Sequence, residues 1–167
     1  MISRAQALEF LESNDLIALA MEADAVRKKW HPERIVTYAE ETAAETIPFS
    51  RAETKEQHVS RLERLREIQE SSGGISAVLP EFDGTAVEYL KLLALSRIYL
   101  DNIPHVQTSC ALGLKICQVA LRFGADDIAA ASPDAQPVNE EQLRCLIREA
   151  GFKPNRRNAL FQLYAID

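Results

Sequence analysis

Residues 75–109 read ISAVLPEFDGTAVEYLKLLALSRIYLDNIPHVQTS. Ile75–Leu79 is a short, nearly unbroken apolar run, and His105–Ser109 follows one helix-length later. Between them Thr85 stands three residues before Glu88, the spacing at which a cap side chain and a glutamate satisfy each other's backbone N–H groups. Val87, Leu90, Ala94 and Ile98 then recur on one helical face. Strand, capped helix and strand make a βα repeat. Near-continuous apolar strands of this kind belong to parallel sheets covered on both faces.

The same signals extend in both directions. Further strands are expected at Arg34–Ala39, Thr46–Ser50 and Asp127–Ala131, with a weaker candidate at Phe161–Ile166. Ser3 with Gln6, Thr54 with Gln57 and Asn139 with Gln142 repeat the capping pattern, and Gly73-Gly74, Gly124 and Gly151 mark helix ends. Apolar stripes are expected in the core: Leu16, Leu19, Ala20, Ala23, Val26 and Trp30; Val59, Leu62, Leu65 and Ile68; Leu112, Ile116, Val119 and Phe123; Leu143, Leu146, Ile147 and Ala150. Ala131–Val138 reads as a loop. The fold class is α/β: a partial (half) TIM-type βα barrel, or an open, mostly parallel sheet of about five strands covered by helices. Residues 1–167 are expected to form one domain, with helices over 1–33, βα units over 34–131, and a C-terminal helix and tail over 132–167.

Composition excludes several functions. The net charge is −6, from 19 basic and 25 acidic side chains, which disfavours nucleic-acid binding or an acidic membrane surface. No apolar run is long enough to span a bilayer, and the first residues read as a capped helix, so a cytoplasmic protein is expected. Cys110, Cys117 and Cys145 make no C-x₂-C pair; Cys117 and Cys145 lie in apolar helical patterns and are expected to be buried. Lys153, Arg156 and Arg157 read as a solvated basic loop.

Longer segments resemble one family. Ser3–Leu8, Leu16–Ala25, His31-Pro32-Glu33 and Val36-Thr37-Tyr38 resemble the first helices and strand of the radical-SAM enzymes of the futalosine route to menaquinone. These are aminofutalosine synthase and cyclic dehypoxanthine futalosine synthase. Glu53–Val59, Arg64–Gln69, Leu95–Ser109, Ala120–Asp127 and Leu146–Phe152 resemble later segments of the same enzymes, in order. The resemblance implies a βα barrel, an iron–sulfur cluster and S-adenosylmethionine (SAM).

The departures from the family imply a loss of that chemistry. The family carries C-x₃-C-x₂-C after its first strand, three thiolates to hold a cluster. Here Tyr38 is followed by Ala39-Glu40-Glu41-Thr42-Ala43-Ala44-Glu45, and the chain passes to a stretch resembling the fifth strand. Ala129-Ala130-Ala131-Ser132-Pro133 replaces a substrate-pocket segment. Neither an iron–sulfur cluster nor SAM as a ligand is expected. What remains is strands five to eight plus strand one, a contiguous arc whose edges are strands five and one. Its inner layer is expected to be bulky and apolar. With about seven residues from Tyr38 to Thr46, those two strands are not expected to be parallel neighbours. Strand one is expected to be displaced, antiparallel, or exchanged with a second copy.

The strand-end rule for βα barrels gathers Ser50, Arg51, Glu53, Glu81, Asp83, Gln107 and Ser109 as ligand-binding candidates. The resemblance places Glu53 at the last position of a GHVE segment that lies near SAM, but Ser50 and Arg51 replace its glycine and histidine. Glu53 also suits the start of the helix capped by Thr54. His31 is expected to end a helix, His58 to lie near the start of one and His105 to begin a strand. A zinc site from His105, Cys110 and a third ligand matches no established spacing. No catalytic residue and no metal site is assigned. The expected function is non-catalytic, through a homodimer or another protein partner. The alternatives are a nucleoside- or SAM-like-ligand binder (or a non-radical enzyme), and an accessory subunit or regulator in menaquinone biosynthesis.

Overall fold

A computed structural model describes residues 2–40, 43–129 and 138–164. Its elements are α1 (Arg4–Glu12), α2 (Leu16–Trp30), β1 (Ile35–Ala39), β2 (Glu45–Phe49), α3 (Lys55–Ser72), β3 (Ala77–Phe82), α4 (Ala86–Tyr99), β4 (His105–Ser109), α5 (Leu114–Ala120), β5 (Asp127–Ala129), α6 (Glu140–Glu149) and β6 (Lys153–Arg156). A 3₁₀ turn, Leu121–Phe123, extends α5. All six strands are parallel, in the order β2-β3-β4-β5-β1-β6. The fold is an open parallel α/β sheet, a partial barrel.

The helix starts are those the sequence encodes. Ser3/Gln6, Thr54/Gln57, Thr85/Glu88 and Asn139/Gln142 each form the reciprocal capping box. Helix α4 is buried almost all round from Tyr89 to Tyr99, between the sheet and an outer layer of α1, α2 and α3. Val36, Tyr38, Ile47, Phe49, Val78, Val106 and Ile128 point into this helix-side core. Several stripe positions are only half-covered: Trp30, Ile68, Val87, Leu112 and Val119. The Trp30 ring N–H donates to Asp101 O (3.0 Å), which keeps its polar end at the surface.

The arc β2-β3-β4-β5-β1 is the expected one, and β1 and β2 are not neighbours. Strand β1 is neither displaced nor antiparallel, however. It lies parallel between β5 and β6 of its own sheet, so no exchange is needed to pair it. The expected edge is wrong for a related reason. Lys153–Arg156 is strand β6 rather than a solvated loop, and it covers β1. Only Lys153 and Arg156 of that basic group are exposed; Arg157 is buried. Within Phe161–Ile166, residues 161–164 form no strand, only an isolated antiparallel bridge of Leu163 with Arg157, and 165–166 lie outside the described residues. Residues 131–137 of the expected loop, and the last two residues of the expected Asp127–Ala131 strand, also lie outside them.

Both edges are blunted. At β2, Pro48 has no N–H to offer, and its carbonyl accepts from the Arg61 guanidinium. At β6 the chain folds back on itself, with Tyr164 N donating to Arg156 O (2.9 Å). The inner face differs from the apolar layer expected. Alternation along the strands places Thr37, Gln107, Asp127 and Asn155 there. All four are buried.

Candidate functional site

Asp126 and Asp127 stand side by side where β5 begins. Two buried carboxylates need two counter-charges. The chain supplies Arg97 from the middle of α4 and Arg157 from just beyond β6, and all four residues are 0–2% exposed.

On the inner face, Arg157 grips Asp127 in a two-pronged pair, Nε to Oδ1 at 2.6 Å and Nη2 to Oδ2 at 2.7 Å. Thr37 Oγ1 donates to Oδ1 and Gln107 Nε2 to Oδ2, each at 2.5 Å. Four donors saturate this carboxylate, which leaves it no lone pair for general-base work. The Phe161 ring lies over the Arg157 guanidinium at 4.1 Å and stacks on His105 at 4.3 Å. The tail of the chain therefore seals this part of the inner face.

On the helix side, Asp126 pairs with Arg97 through Oδ1, which also accepts from Val106 N at 2.8 Å. Its Oδ2 meets His105 Nδ1 at 2.5 Å and His31 Nε2 at 3.1 Å. Arg97 further donates to Gly124 O, Ile103 O and Pro104 O. Burial alone would push the Asp126 carboxyl up, but the Arg97 charge and the two histidines hold it well below the usual carboxylate range. Burial likewise works against a charged His31, and the contacts with Asp126 and Pro104 O outweigh it, so its pKa is raised.

His31, His105 and Asp126 form the one group of three potential metal-ligating side chains among the described residues. Arg97 already supplies the positive charge a cation would bring there. The cluster also lies at the amino ends of β4 and β5, the end of a βα barrel associated with stability. His105 keeps company with His31 and Asp126, not with Cys110.

The candidates taken from strand ends do not converge. Glu53 is committed to Arg61 through both oxygens and to Ser50 N (3.1 Å), and these bonds lower its pKa to about 2. Ser50 Oγ and Arg51 N both donate to Asp83, fastening the turn after β2 to the end of β3. Glu81 is exposed, and Ser109 Oγ accepts from Ala111 N in a local turn. Gln107 alone belongs to the buried inner network. The sequence reading missed Asp126, Asp127, Arg97 and Arg157. The available signal was the pair of adjacent acids opening an apolar strand, since buried charge demands a partner elsewhere in the chain.

An open parallel sheet with helices on one side and a sealed polar inner face defines a fragment of the βα-barrel class. Residues 47–167 match the model of the CofH/MqnC C-terminal region, and the chain belongs to that family. It is 31% identical over 153 residues to aminodeoxyfutalosine synthase of Streptomyces coelicolor, covering 71% of this chain and 40% of that protein. It is 27% identical over 139 residues to cyclic dehypoxanthine futalosine synthase of the same organism, covering 70% and 35%. A 5-amino-6-(D-ribitylamino)uracil–L-tyrosine 4-hydroxyphenyl transferase of Methanosarcina barkeri is 28% identical over 148 residues, covering 70% and 38%. The chain thus spans less than half the length of these relatives. Their differing activities at similar identity mean that membership alone selects no substrate.

Cys110 and Cys117 are buried together with sulfurs 3.6 Å apart, while Cys145, contrary to expectation, is exposed on α6 beside Glu149. Cys145 lies off the face formed by Leu143, Leu146 and Ile147, which is why an apolar sequence pattern did not bury it. None of the three lies in residues 39–45, between the end of β1 and the start of β2. The C-x₃-C-x₂-C spacing that the family resemblance implies does not occur among them.

Proposed function

We propose that this chain is a non-catalytic member of the family that acts by associating with a second copy of itself. The observation that carries this reading is the stretch after β1, Ala39–Glu45, which holds no cysteine where the family's cluster loop stands. The inner face supports it, because Thr37, Gln107 and the chain's own Arg157 all donate to Asp127. Association is favoured by an apolar groove along β2 and α3, lined by Ile47, Pro48, Leu65 and Ile68 and rimmed by Arg61 and Arg64. In a complete barrel a preceding βα unit would pack against this edge.

Anaerobic reconstitution with iron and sulfide, followed by iron analysis and assay with SAM and futalosine-type substrates, tests the non-catalytic half. Bound iron at four per chain with turnover would overturn it. Light scattering tests the other half: the full chain is expected as a dimer and the Ile68→Glu variant as a monomer, and a monomeric parent chain would overturn it.

A further inference from the structure

We propose that Cys110 and Cys117 form a reversible dithiol site that hydrogen peroxide oxidises to an intramolecular disulfide. The sulfurs are 3.6 Å apart, and the residues are 3% and 0% exposed at the junction of β4 and α5. A disulfide at about 2.05 Å therefore requires closure by only about 1.6 Å. The connecting turn has room to supply it. Gly113 sits at φ +94° with nothing within 4 Å of the position a Cβ would occupy, and Ala111, Leu112 and Gly113 are exposed.

The two thiols have unequal roles. The two thiols share one hydrogen bond, which favours a thiolate on Cys110, the one beside the exposed turn, over the more deeply buried Cys117, whose pKa is raised. Cys110 is then the attacking sulfur. Its thiolate takes one oxygen from the peroxide, the O–O bond breaks, and hydroxide leaves with a cysteine sulfenic acid formed. Cys117 displaces the sulfenic oxygen, its proton leaves with that oxygen as water, and the S–S bond closes. Two thiols are oxidised as one peroxide is reduced to two waters. Burial favours an oxidant of water's size over a bulky disulfide. The exposed Cys145 is no competitor, because Glu149 at 3.5 Å raises its pKa.

Trypsin reports the product directly, because Lys115 lies between the two cysteines. The full-length Cys145→Ser chain is treated with hydrogen peroxide, alkylated and digested without reduction. The expected result is peptide 98–115 joined to peptide 116–122, two hydrogens lighter than the sum, and separated by dithiothreitol. The parent chain, treated when dilute, is expected to give the same linked pair, so an effect of the serine substitution is detected. Separate peptides with both thiols alkylated, or with Cys110 carried on to sulfinic acid while Cys117 stays free, overturn the proposal.

Discussion

Asp126 and Asp127 are neighbours in the chain, yet each holds a different arginine on a different side of the sheet. Asp126 turns toward the helices to Arg97, and Asp127 turns to the inner face and Arg157. The strand's two-residue alternation does this without any special backbone. One dipeptide thereby ties α4 and α2 to the sheet on one side and the C-terminal tail to it on the other. Phe161, stacked on His105 and lying over Arg157, touches both clusters.

Removing one partner of the inner pair leaves an uncompensated buried charge. Arg157→Met is expected to cost about 3–5 kcal/mol in urea unfolding. Adding Asp127→Asn to it should recover a substantial part, because the second change removes the stranded carboxylate. A double-mutant cycle checks this, and strictly additive losses would refute the coupling.

His31 gives stability a definite pH dependence. Its folded pKa lies above the ordinary value of 6.5, so the folded state holds the proton more tightly than the unfolded chain. That contribution is fully present below about pH 6.5 and is lost as pH rises through the raised value. The groups around it are Asp126, Pro104 O, the Arg97 charge and the His105 ring, stacked at 4.7 Å. Urea midpoints measured across neutral pH are expected to fall with rising pH in the parent chain. The His31→Gln variant should lack this component.

Glu53 acts in the opposite sense. Its pKa is lowered to about 2, so its contribution is present above pH 4.5 and is lost as pH falls toward 2. Glu53→Gln should lower stability at neutral pH and flatten the acid limb of the stability curve, while leaving the slope of the neutral limb unchanged.

The strands and helix starts were legible because their signals are local. A capping box is written within four residues, and His105–Ser109 is a strand with the bounds its apolar run suggests. The site was not legible, because its charges come from places that look unrelated. Arg97 sits in the most apolar helix, and Arg157 in a basic run that reads as solvent-facing. Strand β6 was missed for the same reason: Lys153-Pro154-Asn155-Arg156 has no apolar run, and its strand form follows from pairing with β1. The inner face was misjudged because a full barrel interior is packed by the facing strands. Here Arg157 and Phe161 of the chain's own tail lie over the inner face.

Gly124 tests how the helix-side cluster is assembled. It adopts φ +97°, and an added Cβ would lie 2.8 Å from Arg97 Cγ and 3.0 Å from Ala23 Cβ. Arg97 Nε also donates to its carbonyl. Gly124→Ala should therefore lose about 1–3 kcal/mol from backbone strain alone, with displacement of Arg97 adding to it. A loss below about 0.5 kcal/mol in urea unfolding would contradict this packing.

Pro48 tests how the sheet's free edge is controlled. At β2 the proline removes an outward N–H, and Arg61 covers the outward carbonyl while holding Glu53. Pro48→Thr restores a donor, and Arg61→Ala uncovers the acceptor. Together they make β2 a pairing edge that could join another sheet's β2. The double variant is expected to form species larger than the parent chain in light scattering at the same concentration. Ile68→Glu, which charges the neighbouring groove without freeing the edge, should not. Each change removes a different obstacle, so the two single variants are expected to shift the distribution less than the pair. An unchanged size for the double variant would mean that something other than Pro48 and Arg61 protects this edge.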